Sequence, residues 1–165
     1  MRRFWAMAGT AVFLVVAPGT IAVLVPRWIS HWRAEESEPW LRVAGAILIA
    51  VGATVLLDSF GRFAWQGLGT PAPPFPTRHL IVTGLYRYVR NPMYLAVISL
   101  IAGQAAWFGN ERLLGYGAAV WMGFHLFVIG YEEPVLQATY GPEYDQFFAA
   151  VPRWIPRLHG WRGHP

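Results

Sequence analysis

Four apolar stretches, separated by short segments that carry the arginines, restrict this chain to few architectures. From Phe4 to Val25 no residue is charged, and the span is long enough to cross the roughly 30 Å hydrocarbon core of a bilayer. Comparable stretches run from Leu41 to Phe63, Met93 to Phe108 and Leu113 to Tyr131. In hydrocarbon every backbone N–H and C=O needs an internal partner, so continuous runs of this length read as helices. The expectation is an all-α fold: a polytopic membrane helix bundle of about four transmembrane helices, followed by a cytosolic C-terminal helical segment. Arg2 and Arg3 precede the first span as in a signal peptide. Its length and its Pro26-Arg27 end instead read as a retained helix, bent at Pro18-Gly19.

Composition removes several function classes. The chain of 165 residues fits a single domain and is 55% hydrophobic and 13% charged, against about a quarter charged in soluble domains. All thirteen basic residues are arginine, spread between apolar spans and not gathered on one polar face, which argues against nucleic acid. Without cysteine there are no disulfides, thiolate metal sites or thiol nucleophile. The five histidines show no ligand spacing, so no metal is expected.

The polar breaks carry their own signals. Arg27 to Trp40 mixes charges with Trp28, Trp32 and Trp40, as membrane-interface loops do. Trp65 to Thr77, rich in Gly and Pro, reads as an extended linker. Gly109-Asn110-Glu111-Arg112 reads as a tight turn, making the third and fourth helices a hairpin. Pro134 should break the fourth helix. Val135 to Val151 reads as two short amphipathic helices, restarting at Gly141-Pro142-Glu143, with Tyr144, Phe147, Phe148 and Val151 on one side. Pro152 to Pro156 reads as an interface anchor and the tail after Arg157 as loose. With four spans, nine arginines fall on the side of the termini and four on the other. The positive-inside bias then puts both termini in the cytosol.

Four groups of residues suggest chemistry. Arg78 to Tyr94 places Tyr86, Arg87, Tyr88 and Arg90 before Asn91-Pro92, a strong helix start whose positive dipole end suits an anionic group. Such residues also anchor ordinary membrane helices, so an interfacial linker is equally consistent. Asp58 and Arg62 share a helix face and suit an ion pair. His125 lies within the fourth span, where a neutral ring bonded to a neighbouring helix is the simplest reading. Glu132 and Glu133 end that span at the negative pole of its dipole, so a cation should compensate them, Arg87, Arg90 or a bound cationic ligand, the alternative being a solvated interfacial pair.

The order of these motifs resembles a known superfamily. His79-Leu80-x-Val82-Thr83-Gly84-x-Tyr86, Arg90-Asn91-Pro92-Met93-Tyr94, Glu132-Glu133, Tyr140-Gly141-Pro142-Glu143-Tyr144 and Val151 to Pro156 are similar to segments of the isoprenylcysteine carboxyl methyltransferases and phospholipid methyltransferases. The resemblance implies an integral membrane enzyme with a cofactor-binding half at about residues 78–156. It would use S-adenosylmethionine to methylate a lipid-like or small hydrophobic acceptor at the cytosolic face. His79, Leu80, Ile81 and Val82 would embrace the adenosine part, with Gly84 in the same turn. Tyr86, Asn91, Pro92, Met93 and Tyr94 would complete the cofactor pocket, and Glu132 would bond the cofactor's polar end. Arg90 and Glu133 are the candidates for a catalytic role. Asn91 stands where prenylcysteine enzymes usually carry His, and Val128 where they carry a carboxylate-binding arginine. The rival classes are a non-enzymatic membrane module, which would not need this constellation, and a small transporter, which would need an internal repeat that the sequence lacks.

Overall fold

A computed structural model describes residues 12, 15–33, 37–62, 80 and 82–163 of the chain. The first half of the first span, the Gly/Pro linker, and His79 and Ile81 lie outside the described residues. Among those described, every regular element is helical. Helix α1 (Val15–Ser30) and α2 (Pro39–Arg62) are followed by a 3₁₀ turn (Gly84–Arg87) and α3 (Pro92–Phe108). Helix α4 (Glu111–Phe127) then passes through a π turn (Val128–Glu132) into α5 (Glu133–Tyr140), and α6 (Pro142–Ala150) comes last.

Two rods are long and apolar enough to cross a membrane: α2, and the continuous helix Glu111–Tyr140. Helices α1 and α3 are apolar but shorter. Only 28% of the apolar window of α2 and 17% of that of Glu111–Tyr140 is buried within the protein. A core helix of a soluble protein would hide far more, so these surfaces suit lipid. Packing of the described residues divides the chain into two compact units: one within Leu14–Leu57 and Met93–Phe124, the other within Asp58–Pro92 and His125–Pro165.

In the first of these units, α2 and α3 approach backbone to backbone. A Cβ on Gly45 would lie 2.6 Å from the Gly103 carbonyl oxygen and 2.7 Å from the Trp107 nitrogen, so only glycine fits the crossing. Small residues allow such approach between membrane helices. Ser37 Oγ and Ser99 Oγ add bonds across the pair, to the carbonyls of Ala106 and Leu48, each at 2.9 Å. Ile101 and Leu113 are fully buried in this core.

Proline placement differs from the sequence expectation. Neither Pro26 nor Pro134 ends its helix: α1 runs on to Ser30, and the fourth span runs through Pro134 to Tyr140. Both prolines sit two residues beyond a π turn, Thr20–Leu24 and Val128–Glu132. A π turn widens the helix where the pyrrolidine ring would strike the preceding carbonyls, and the helix continues. At Pro26 the carbonyls that lose their N–H partner are Ile21 and Ala22. Tyr116 Oη donates to the first at 2.9 Å and Gln104 Nε2 to the second at 2.7 Å. Helix α1 ends where His31 takes a left-handed conformation, φ 50°.

The start of α3 at Pro92 and the turn at Gly109-Asn110 fall where the sequence places them. Asn110 Oδ1 accepts from the Arg112 N–H and so caps α4.

Candidate functional site

The unit containing Asp58–Pro92 and His125–Pro165 gathers most of the sequence candidates. Its core is Tyr144, Phe147 and Val151, on which Leu80, Val82, Leu136, Tyr140, Ala150 and Trp161 pack. Three of the four residues assigned to the apolar side of α6 are buried there, whereas Phe148 is 42% exposed. Leu80 and Val82 therefore anchor the chain that leads into the motif.

Thr83 is extended, and Gly84 then takes φ 57°, a left-handed turn open to glycine without strain. The turn buries Tyr86 and is closed by the Tyr86 N–H to the Thr83 carbonyl at 3.2 Å. Burial holds the Tyr86 phenol well above the ordinary tyrosine value. The Ser59 hydroxyl and Arg62 act the other way, while the carboxylates of Glu132 and Asp58 reinforce the rise. Tyr86 is thus a neutral phenol at physiological pH, and the two acids lie near it.

Asp58 and Arg62 form the pair that their spacing suggests, with Nε to Oδ2 at 2.8 Å and Nη2 to Oδ1 at 2.9 Å. Arg62 Nη1 also reaches Thr83 Oγ1 at 3.3 Å. Nothing in the sequence pattern indicates that third contact, because twenty-one residues separate the partners.

Glu133 sits in a different environment. Its Oε1 accepts from Arg90 Nη1 at 2.8 Å and from Arg153 Nε at 2.7 Å, and its Oε2 from Arg153 Nη2 at 2.8 Å. Only 12% of the Glu133 side chain and 9% of Arg90 are exposed. The Arg90 guanidinium lies 4.1 Å from the Phe148 ring centroid, a cation–π contact. The hydrogen bond to Glu133 raises the pKa of Arg153. Burial, then the Glu133 charge, raises that of Tyr144. Arg90 is a compensating cation anticipated from the sequence, while Arg153 was read as part of an interface anchor. Both arginines go to Glu133, so a count of charges over the two acids does not point to Arg153.

The C-terminal segment, residues 151–163, is not loose. It runs along the motif as a strap. The Arg90 N–H donates to the Pro152 carbonyl at 2.9 Å, the Arg157 N–H to Tyr88 at 3.0 Å and the Trp161 N–H to Arg87 at 2.8 Å. Arg87 Nε returns a bond to the Trp161 carbonyl at 2.8 Å. Asn91 Nδ2 donates to the Arg153 carbonyl at 3.2 Å, so this side chain ties the strap to the helix start. Trp161 stacks on Phe147 with ring centroids 5.7 Å apart. His125 Nδ1 accepts from Trp154 Nε1 at 3.0 Å, so its proton resides on Nε2; this partner comes from the strap.

Leu80, Val82, Gly84, Tyr86, Arg90, Asn91, Pro92, Glu132 and Glu133 thus fall within one unit. Met93 and Tyr94 belong to the other, where the Tyr94 ring lies 4.6 Å from that of Phe124. Among the described residues no group of histidines, cysteines and acids could hold a metal.

No curated protein and no solved structure matches the chain. A family model described as phospholipid methyltransferase matches residues 40–143, from the start of α2 into α6. The match takes in the Asp58–Arg62 pair, the whole Arg78 to Tyr94 motif and both glutamates, and it covers more than half of the 165 residues. This chain belongs to the phospholipid methyltransferase family.

Proposed function

We propose that the protein transfers a methyl group from S-adenosylmethionine to a lipid-like or small hydrophobic acceptor at the cytosolic face of a membrane. In this reading it spans the bilayer four times with both termini inside. The observation that carries the reading is that the glycine turn of the motif buries Tyr86 in the same unit as Glu132, whose charge acts on the Tyr86 phenol, while Asp58 is engaged by Arg62. A carboxylate near an aromatic ring is complementary to a ligand with a sulfonium and an ammonium group. The residues present therefore fit the cofactor that the family implies. S-adenosylmethionine, when bound, supplies a methyl group activated by its sulfonium.

The chain's own contribution is positioning and exclusion of water. An in-line displacement needs donor and acceptor held in near-attack geometry, with little acid–base work. Tyr86, neutral because it is buried, offers an aromatic wall and a hydroxyl but no negative charge. Glu132 would hold the cationic end of the donor, and Leu80, Val82 and Gly84 would supply backbone groups to the adenosine part. Glu133 and Arg90 fix the frame through their ion pair. Val128, 1% exposed, brings an apolar side chain where a carboxylate-binding arginine would select prenylcysteine acids, so an apolar acceptor with an amine, thiol or hydroxyl fits better.

The test is binding of S-adenosylmethionine to detergent-purified wild type, Glu132→Gln and Glu143→Gln, the last on the exposed face of α6. Loss of one charge-assisted bond, about 1.5–3 kcal/mol, weakens binding roughly ten- to a hundred-fold in Glu132→Gln alone. Equal affinity in all three removes Glu132 from the site, and absence of binding to the wild type removes the reading. Methyl-labelled cofactor supplied to membranes carrying the protein then identifies the acceptor.

A further inference from the structure

Arg62 closes α2 with its guanidinium held in a fork. Asp58 accepts from Nε and Nη2, which leaves Nη1 to reach Thr83 Oγ1 at 3.3 Å. The same guanidinium covers Gly84, because a Cβ built on that glycine would fall inside it. Gly84 also takes φ 57°, so two separate requirements for glycine meet at one turn. The Arg62 and Asp58 side chains are 27% and 39% exposed, and partly exposed i,i+4 pairs add little to stability. Stability is therefore a poor account of the arrangement. What it fixes is the path of the chain between Thr83 and Tyr86.

We propose that Arg62, oriented by Asp58, is a positioning residue for the cofactor: its guanidinium clamps the Thr83–Gly84 turn in the geometry that buries Tyr86. The proposal rests on the methyltransferase reading above for its function, but the clamp itself is testable without it. Asp58 acts through Arg62, so its removal has no effect once Arg62 is gone. The fork and not the charge alone is required, because an ammonium cannot engage Asp58 bidentately while covering Gly84.

Hydrogen exchange of unliganded protein and S-adenosylmethionine binding are measured for wild type, Arg62→Gln, Arg62→Lys, Asp58→Asn and the Asp58→Asn/Arg62→Gln double variant. The amides of Tyr86, Tyr88 and Val89, bonded within the turn, report the clamp. Their exchange accelerates in all four variants, with no change at the amides of α6. Binding weakens about 2- to 30-fold, the range for residues that act without touching the ligand. The double variant is no worse than Arg62→Gln, as a shared pathway requires. Unchanged exchange in Arg62→Gln, or losses that add in the double variant, overturns the proposal. If Arg62→Gln does not fold, Asp58→Asn decides alone: wild-type exchange in that variant overturns the clamp. If the wild type binds no cofactor, the function falls, while faster exchange in the variants still upholds the clamp.

Discussion

Glu133 and Glu132 are neighbours in sequence, and their substitution should give opposite results. Replacing Glu133 by Gln removes the charge that faces two guanidiniums at 2.7 and 2.8 Å. Arg90, 9% exposed, then keeps a charge that water cannot reach. Breaking a buried ion pair by deleting one partner costs about 3–5 kcal/mol. Arg153 is 26% exposed and regains some hydration, which places the loss near the lower end, about 3 kcal/mol. For a chain of this length that corresponds to a fall in Tm of roughly 6–12 °C. Glu132→Gln leaves Tm within about 2 °C, because its loss is expressed in cofactor binding and not in the frame.

The assay is thermal unfolding of detergent-purified protein, without cofactor, for the two single variants, Arg153→Gln and Glu133→Gln/Arg153→Gln. The double variant removes both the anion and one of the cations it neutralised. Its loss should fall short of the sum of the singles by about 0.5–3 kcal/mol, the range for residues in one charge network. Equal Tm values for Glu132→Gln and Glu133→Gln, or strict additivity in the double variant, would refute the assignment of Glu133 to the frame.

Two further outcomes follow from the site and the helices. The folded-state pKa of Tyr86 is raised above the ordinary value of 10.0, so its contribution is fully present below pH 10 and lost as pH rises toward the folded value. Tyr86→Phe should therefore lose less stability than wild type between pH 10 and 11, and parallel Tm curves would contradict the burial argument. In intact cells an impermeant thiol reagent should label Glu38→Cys and not Leu158→Cys, both positions being exposed and the chain otherwise free of cysteine; the reverse pattern inverts the topology.

What could be read in the sequence was local. Asn91-Pro92 marks the start of α3, Gly109-Asn110 the hairpin turn, and the Asp58–Arg62 spacing an ion pair, because each signal and its partner lie within one helical turn. The partners of Glu133 were legible only in part. Arg90 belongs to a motif, but Arg153 comes from a Pro-rich stretch twenty residues away whose apolar and aromatic residues match an interface anchor equally well. The strap was missed for a related reason. Its Gly, His and Pro content predicts no regular element, and it forms none; it is ordered by backbone bonds to Arg87, Tyr88 and Arg90 that composition cannot show. Pro26 reads as the end of the first span because a proline removes an N–H and strikes the preceding carbonyls. Tyr116 and Gln104, from other helices, donate to the carbonyls of Ile21 and Ala22 in its place.

Pro134 ties these local and distant effects together. It follows the π turn Val128–Glu132, in which the Glu133 N–H bonds to the Val128 carbonyl, five residues back. A π turn inserts one residue into the α register, and one residue is about 100° of rotation at 3.6 residues per turn. The residues after the turn are therefore rotated by roughly that angle from where a regular α-helix would place them. Adjacent residues on a helix are themselves about 100° apart. The rotation thus decides which of the two acids meets Arg90 and Arg153. With the turn in place Glu133 closes the ion pairs, and Glu132 lies near Tyr86 and Tyr144. A regular α-helix through the same sequence would shift both acids and oppose Pro134 to the Gly130 carbonyl. The proline that ought to have ended the helix instead sets the register that separates a structural glutamate from a candidate ligand.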